Sequence, residues 1–224
     1  GENITFFQGH ATTETWRRVQ HAGIRCKSNL NHLLASSAIP FIFPATHINR
    51  EFFGDGSMRQ LAPISPAIHL GAERILVIGA GRMNEPKERS GSTRHPSLAQ
   101  IAGHALASIF LDSLAVDIER LQRINETVAS LPPEVLAQSD VPLRKIQTLV
   151  IAPSERLDVI AAEHARALPR PVRILLRGIG AMNQRGGALT SYLIFEQPYT
   201  QALMDLGYKD TMARAEEVRA FLVD

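Results

Sequence analysis

The chain has 224 residues, 45% hydrophobic and 21% charged, a length and balance that build a globular core without disulfide or metal staples. Its 24 Lys and Arg against 22 Asp and Glu leave a formal charge of +2. No basic run carries interleaved aromatics, so the electrostatic footprint of a nucleic-acid binder is missing. The one cysteine, Cys26, excludes an intrachain disulfide, fits a reducing compartment and is read as a small packing residue. The eight histidines show no metal-ligand spacing, so neither a metal nor a cofactor is expected.

Residues 4–8 are β-branched and aromatic, which predicts a short strand ending at Gly9. Ser28 or Asn29 is expected to cap a helix through Leu30, Leu33 and Leu34 that Pro40 stops. Residues 50–53 predict a strand running into Gly54-Asp55-Gly56, and residues 66–70 a short helix closed by Gly71. Residues 74–78 read as a buried strand, followed by a polar Gly/Pro/Ser-rich loop over 84–96.

A long helix is expected over 97–129, with Leu114, Ile118, Leu121, Ile124 and Val128 on its buried face. Its uncharged part, 97–111, contains Gln100 and His104 and is shorter than the ~18–20 apolar residues of a membrane span. Residues 131–143 read as a connection, 146–152 as another buried strand, and 157–167 as a helix. Three further helices are expected over 170–177, 189–195 and 199–206, the last closed by Gly207. Asp210 then caps a final helix with Met212, Ala215, Val218 and Leu222 turned inward. Strands in the first two thirds, with helices between and after them, make the chain α/β.

Gly79-Ala80-Gly81 follows a strand, as phosphate-cradling turns do, but the third glycine position holds Asn84, and Glu85, Pro86 and Lys87 continue as loop. Without a helix N-terminus there is no dipole to hold a pyrophosphate, and a nucleotide site is not expected. The glycines within 177–187 read as helix termination and a connection. His47 and His69 read as structural or solvent-facing.

Asp55 is the candidate that carries chemistry. Asp-Gly is a common turn dipeptide, but here an apolar strand delivers the carboxylate to a turn flanked by Gly54 and Gly56, where a neighbouring hydroxyl can use it as a base. Residues 33–44 (LLASSAIPFIFP) and 52–79 (FFGDGSMRQLAPISPAIHLGAERILVIG) resemble the second half of the patatin-like phospholipase domain. Ala35, Ser36, Ala38 and Pro40 match that family's AS-x-A-x-P stretch, and Asp55 and Gly56 match its DG-G/A motif. Ser57 departs at the third motif position, and is small enough to keep the turn. The resemblance covers residues 1–80, with a weaker echo from 169 onward.

The resemblance implies a partial three-layer α/β/α sheet with a helical C-terminal region. Its segments are the end of a catalytic domain (1–80), a loop (81–96), a helix-strand-helix continuation (97–168) and a helical extension (169–224). It also implies a Ser-Asp dyad in which Asp55 takes the serine proton and returns it to the leaving group. The expected partners are a lipid or acyl-ester substrate and peripheral membrane contact, in the cytoplasm. No G-x-S-x-G elbow and no DGGG oxyanion loop occurs in the 224 residues, so the nucleophile is expected from a missing N-terminal segment. Loss of a nucleophilic serine costs on the order of 10⁶ in kcat, so this chain alone is expected to be inactive. A non-catalytic lipid-binding or interaction module derived from the same fold stays open.

Overall fold

A computed structural model describes residues 2–10, 13–18, 21–40, 42–60, 62–81, 95–109, 113–137, 143–182 and 186–223. The chain is mixed α/β. Its strands are β1 (Asn3–Phe7), β2 (Trp16–Arg18), β3 (His21–Arg25), β4 (Thr46–Ile48), β5 (Glu51–Phe53), β6 (Arg74–Ile78) and β7 (Gln147–Ile151). Its helices are α1 (Leu30–Ser36), α2 (Ser65–His69), α3 (Leu98–Ala107), α4 (Ser113–Ser130), α5 (Pro133–Ala137), α6 (Leu157–His164), α7 (Arg170–Gly178), α8 (Gly187–Ser191), α9 (Gln197–Ala213) and α10 (Ala215–Val223). The described strands form three small sheets, β1-β3-β2, β4-β5 and β6-β7. Nearly all of the loop expected over 81–96 lies outside the described residues.

Two compact units divide the chain, residues 1–73 with 116–146, and residues 74–115 with 147–224. In the first, β3 runs parallel to β1 and antiparallel to β2. Trp16 lies flat over Gly23, where a Cβ would sit only 2.4 Å from the indole, so glycine is required there by packing. Asn29 caps α1 as expected, its side chain accepting the N–H groups of Asn31 and His32. Strands β4 and β5 form a hairpin through Asn49, whose φ of 57° is a value asparagine tolerates. Gly71, at φ 93°, ends α2, with its N–H on the Ile68 carbonyl and that of Ala72 on Ala67. On α4 the residues Ile118, Leu121 and Val128 are buried as expected, whereas Ile124 is 43% exposed.

In the second unit β6 and β7 pair in parallel, each with one strand neighbour among the described residues. The core gathers Ala99, Ala161, Leu176, Leu189, Ile194 and Tyr199. Gly103 and Gly187 let α3, α6 and α8 approach closely, since a Cβ would come within 2.8 Å of Leu189 N and 2.2 Å of the Asp158 carbonyl oxygen. Gly180, at φ 80°, closes α7 with N–H bonds from Gly180 to Arg177 and from Ala181 to Leu176, the helix termination read from the sequence.

Several expected boundaries differ. The helix expected over 97–129 is described as α3 and α4, with residues 110–112 between them outside the description. The one expected over 189–195 is the shorter α8. Gly207 does not end a helix, because α9 runs through it. Asp210 caps nothing: it lies inside α9 and its carboxylate holds the Ser154 N–H at 2.8 Å. The break falls instead at Arg214, whose guanidinium reaches the Val150 carbonyl and Glu217.

Candidate functional site

The Asp55 turn is built from three separate pieces of the first unit. Strand β5 delivers the chain to Gly54, and the Asp55 N–H donates to the Ala38 carbonyl at 2.9 Å, just past α1. Residues 56–58 then make one 3₁₀ turn, and the Ser57 N–H donates to Asp55 Oδ1 at 2.8 Å. That bond fixes the carboxylate through one oxygen, while Oδ2 accepts no hydrogen bond among the described residues. Gln60, at the end of the turn, accepts from Asn3 Nδ2, so the buried Asn3 ties the turn to the start of β1. Phe53 packs edge-on against Phe6 at 5.3 Å and fixes the hairpin from the other side.

The strand that delivers Asp55 is one arm of the antiparallel β4-β5 hairpin. Neither flanking glycine has a positive φ. A Cβ on Gly54 would meet the Ala38 oxygen at 3.5 Å, and one on Gly56 would meet Asn3 Oδ1 at 3.5 Å, both ordinary contacts. The backbone therefore does not demand glycine at either position.

The two histidines near the motif in sequence make ring contacts of their own. His47 packs against Phe52 at 4.9 Å, and His69 stacks on Trp16 at 5.4 Å. Burial, with the Arg18 charge adding to it, pulls the His69 pKa below its ordinary 6.5. No serine or threonine hydroxyl is hydrogen-bonded to Asp55 among the described residues; the Ser37 hydroxyl, beside the matched Ser36, donates to the Leu33 and Leu34 carbonyls. The sequence reading passed over Asn3 and Gln60, whose partners lie 57 residues apart and carry no local signature.

In the second unit, Gly79 donates its N–H to Ile151 at 2.8 Å, and a Cβ there would press on Ala152 at 3.3 Å, so strand packing accounts for the glycine without a nucleotide. A cleft of about 390 Å³ opens nearby, lined by Leu76, Ile78, Ile151, Leu203, Leu206 and Val218. Among the described residues, no three His, Cys, Asp or Glu side chains gather to hold a metal, and no helix is long and apolar enough to cross a membrane. Comparison of the chain with protein-family profiles, curated proteins and solved structures returns no match.

Proposed function

We propose that this chain supplies the general-base aspartate of a serine acyl hydrolase of the patatin-like kind, acting on lipid or other acyl esters, with the nucleophilic serine carried by another segment. One observation carries the reading. Asp55 is held by the Ser57 N–H at one oxygen and by Ala38 at its backbone, and its second oxygen stays available beside two glycines that folding does not require. In the reaction, that free oxygen takes the proton of the attacking serine and later gives it to the departing alcohol. Asp55 needs no histidine for this, and both nearby histidines are engaged in ring contacts of their own. The three-layer sheet of the family, a cytoplasmic site and peripheral membrane contact belong to the same proposal. Leu30, Leu33 and Leu34 support the last, being 68%, 68% and 50% exposed on α1.

The apolar cleft of the second unit favours a second reading, an acyl-binding module without catalysis. Hydrolysis of p-nitrophenyl esters separates the two. The proposal expects turnover by the longer gene product, none by this chain alone, and a loss of about 10²–10⁴ in kcat on Asp55→Asn in the longer protein. Turnover by this chain alone, or full activity of the Asp55→Asn protein, overturns it. Acyl-chain binding with no turnover by either protein leaves the second reading standing.

A further inference from the structure

Helix α7, in the second unit, carries a charge pattern that folding alone does not favour. Between Glu163 and Glu196 the chain has five arginines and no acid, and Arg170, Arg173 and Arg177 lie on α7. Spaced three and four apart, they form one stripe along the helix, in which like charges repel. Arg170 opens the helix and Arg173 follows within a turn, at the positive end of the helix dipole, where acids would stabilise. None of the three forms an ion pair among the described residues. Arg173 Nη1 donates to the Arg166 carbonyl at 3.1 Å, which ties the preceding turn to the stripe.

The apolar residues of the helix fall into two sets. Val172 and Leu176, one turn apart, seat α7 in the core of the second unit. Ile174 and Leu175 are left 71% and 68% exposed. Ile174 follows Arg170 by four residues and precedes Arg177 by three, so it borders the stripe; Leu175 and Pro171, four apart, continue the apolar strip on the side away from it. The solvent face of α7 is therefore a row of arginines beside a row of apolar side chains. A helix of this pattern lies in the plane where lipid headgroups meet acyl chains.

We propose that α7 is a docking face for membranes containing anionic phospholipid, with Arg170, Arg173 and Arg177 on the headgroups and Ile174 and Leu175 in the acyl boundary. Charge complementarity selects this occupant. An anionic surface relieves both the repulsion within the stripe and its conflict with the helix dipole, whereas a bilayer without net charge has no field to do so. Nucleic acid would bring phosphates too, but it would leave Ile174 and Leu175 in water, and residues 164–191 contain no Phe, Tyr or Trp to stack on bases. The helix is already formed, with Pro171 in its first turn and Gly180 at its close, so docking needs no folding step. The inference names a helix and a lipid charge for the peripheral contact proposed above and rests on that part of the reading; Asp55 takes no part in it.

The test sediments this chain with phosphatidylcholine vesicles and with vesicles in which about a third of the lipid is phosphatidylserine. Binding is expected to the mixed vesicles alone, weakening as salt rises. Arg170→Gln with Arg177→Gln is expected to lower that affinity about 25-fold, roughly five-fold for each arginine. Ile174→Ser with Leu175→Ser is expected to lower it roughly ten-fold or more while leaving binding to heparin, a soluble polyanion, unchanged. All four side chains are exposed, so both variants are expected to keep the native circular dichroism. Equal sedimentation with the two kinds of vesicle, or none with either, overturns the proposal without reference to any variant. Full affinity in the arginine variant overturns it as well. A serine variant that binds vesicles as tightly as the native chain overturns it in favour of a site for soluble polyanions, nucleic acid among them. Sedimentation reads binding and ester turnover reads Asp55, so the failure of one is not the failure of the other.

Discussion

Replacing the glycines beside Asp55 separates a turn from a site. Gly54 and Gly56 lie outside the left-handed region, and a Cβ on either meets its nearest described atom at 3.5 Å. Alanine therefore fits both backbones, and its main effect is to restrict the unfolded chain, a stabilisation of about 0.4–1 kcal/mol each. If Asp-Gly were here only to make the turn, alanine would be neutral to stabilising and nothing else would change. If the serine and its ester approach the carboxylate across the exposed glycines on either side of it, added methyl groups obstruct them and kcat falls while stability does not. Urea denaturation of this chain followed by Trp16 fluorescence gives the first quantity, since Trp16 is the only tryptophan and lies in the same unit. Ester hydrolysis by the longer protein gives the second. A stability loss above about 2 kcal/mol for either alanine would mean that the backbone does demand glycine. Unchanged stability with unchanged kcat would refute the functional argument.

Two helix glycines are expected to diverge. Gly207→Ala, with nothing within 4 Å of the added methyl, gains about 1 kcal/mol in helix propensity, whereas Gly103→Ala drives a Cβ against Leu189 N at 2.8 Å and is destabilising; thermal denaturation by circular dichroism reads both. Asp117, buried on α4, accepts the Ile64 N–H at 2.9 Å, so Asp117→Ala strands a buried donor at a cost of about 1–3 kcal/mol in urea denaturation, while Asp117→Asn, which keeps an acceptor, costs less. Because the His69 pKa is lowered in the fold, the unfolded chain binds the proton more readily; this contribution is therefore complete above pH 6.5, is lost as pH falls through 6.5 toward the folded value, and vanishes in His69→Gln, as urea midpoints across that range will read.

What could be read in the sequence was local. Strands β1, β6 and β7 announced themselves through β-branched and apolar runs, and the Asn29 cap and the glycine terminators at 71 and 180 through residue type alone. Strand β3 escaped, because HAGIR carries an alanine and a glycine where a strand usually shows bulk. The reason is on another strand: Gly23 is small so that Trp16 can lie on it. Gly207 misled in the opposite way, since seventeen residues of α9 outweigh one glycine and no partner needs space there. Asp210 has the residue type of a cap, and its carboxylate is used on Ser154, 56 positions away. The Asp55 motif was visible as a string. The clasp of Asn3 on Gln60 and the pairing of Cys26 with His32 required the fold.

Helix α1 links the contacts of His32 to the Asp55 turn. It has seven residues, too few to be stable alone, so its ends depend on what holds them. Its first turn is held by Asn29 and by the contacts of His32 with Phe6 and Cys26, and just past its last turn Ala38 accepts the Asp55 N–H. Ala35 within the helix and Ala38 just past it are buried, so the chain is anchored where the helix ends. Loosening its start is therefore expected to be felt at its finish. In a double-mutant cycle on this chain, His32→Ala and Asp55→Ala would then deviate from additivity in urea stability by about 0.5–1 kcal/mol or more. Additivity within about 0.3 kcal/mol would show two sites that share a unit without sharing a helix's stability.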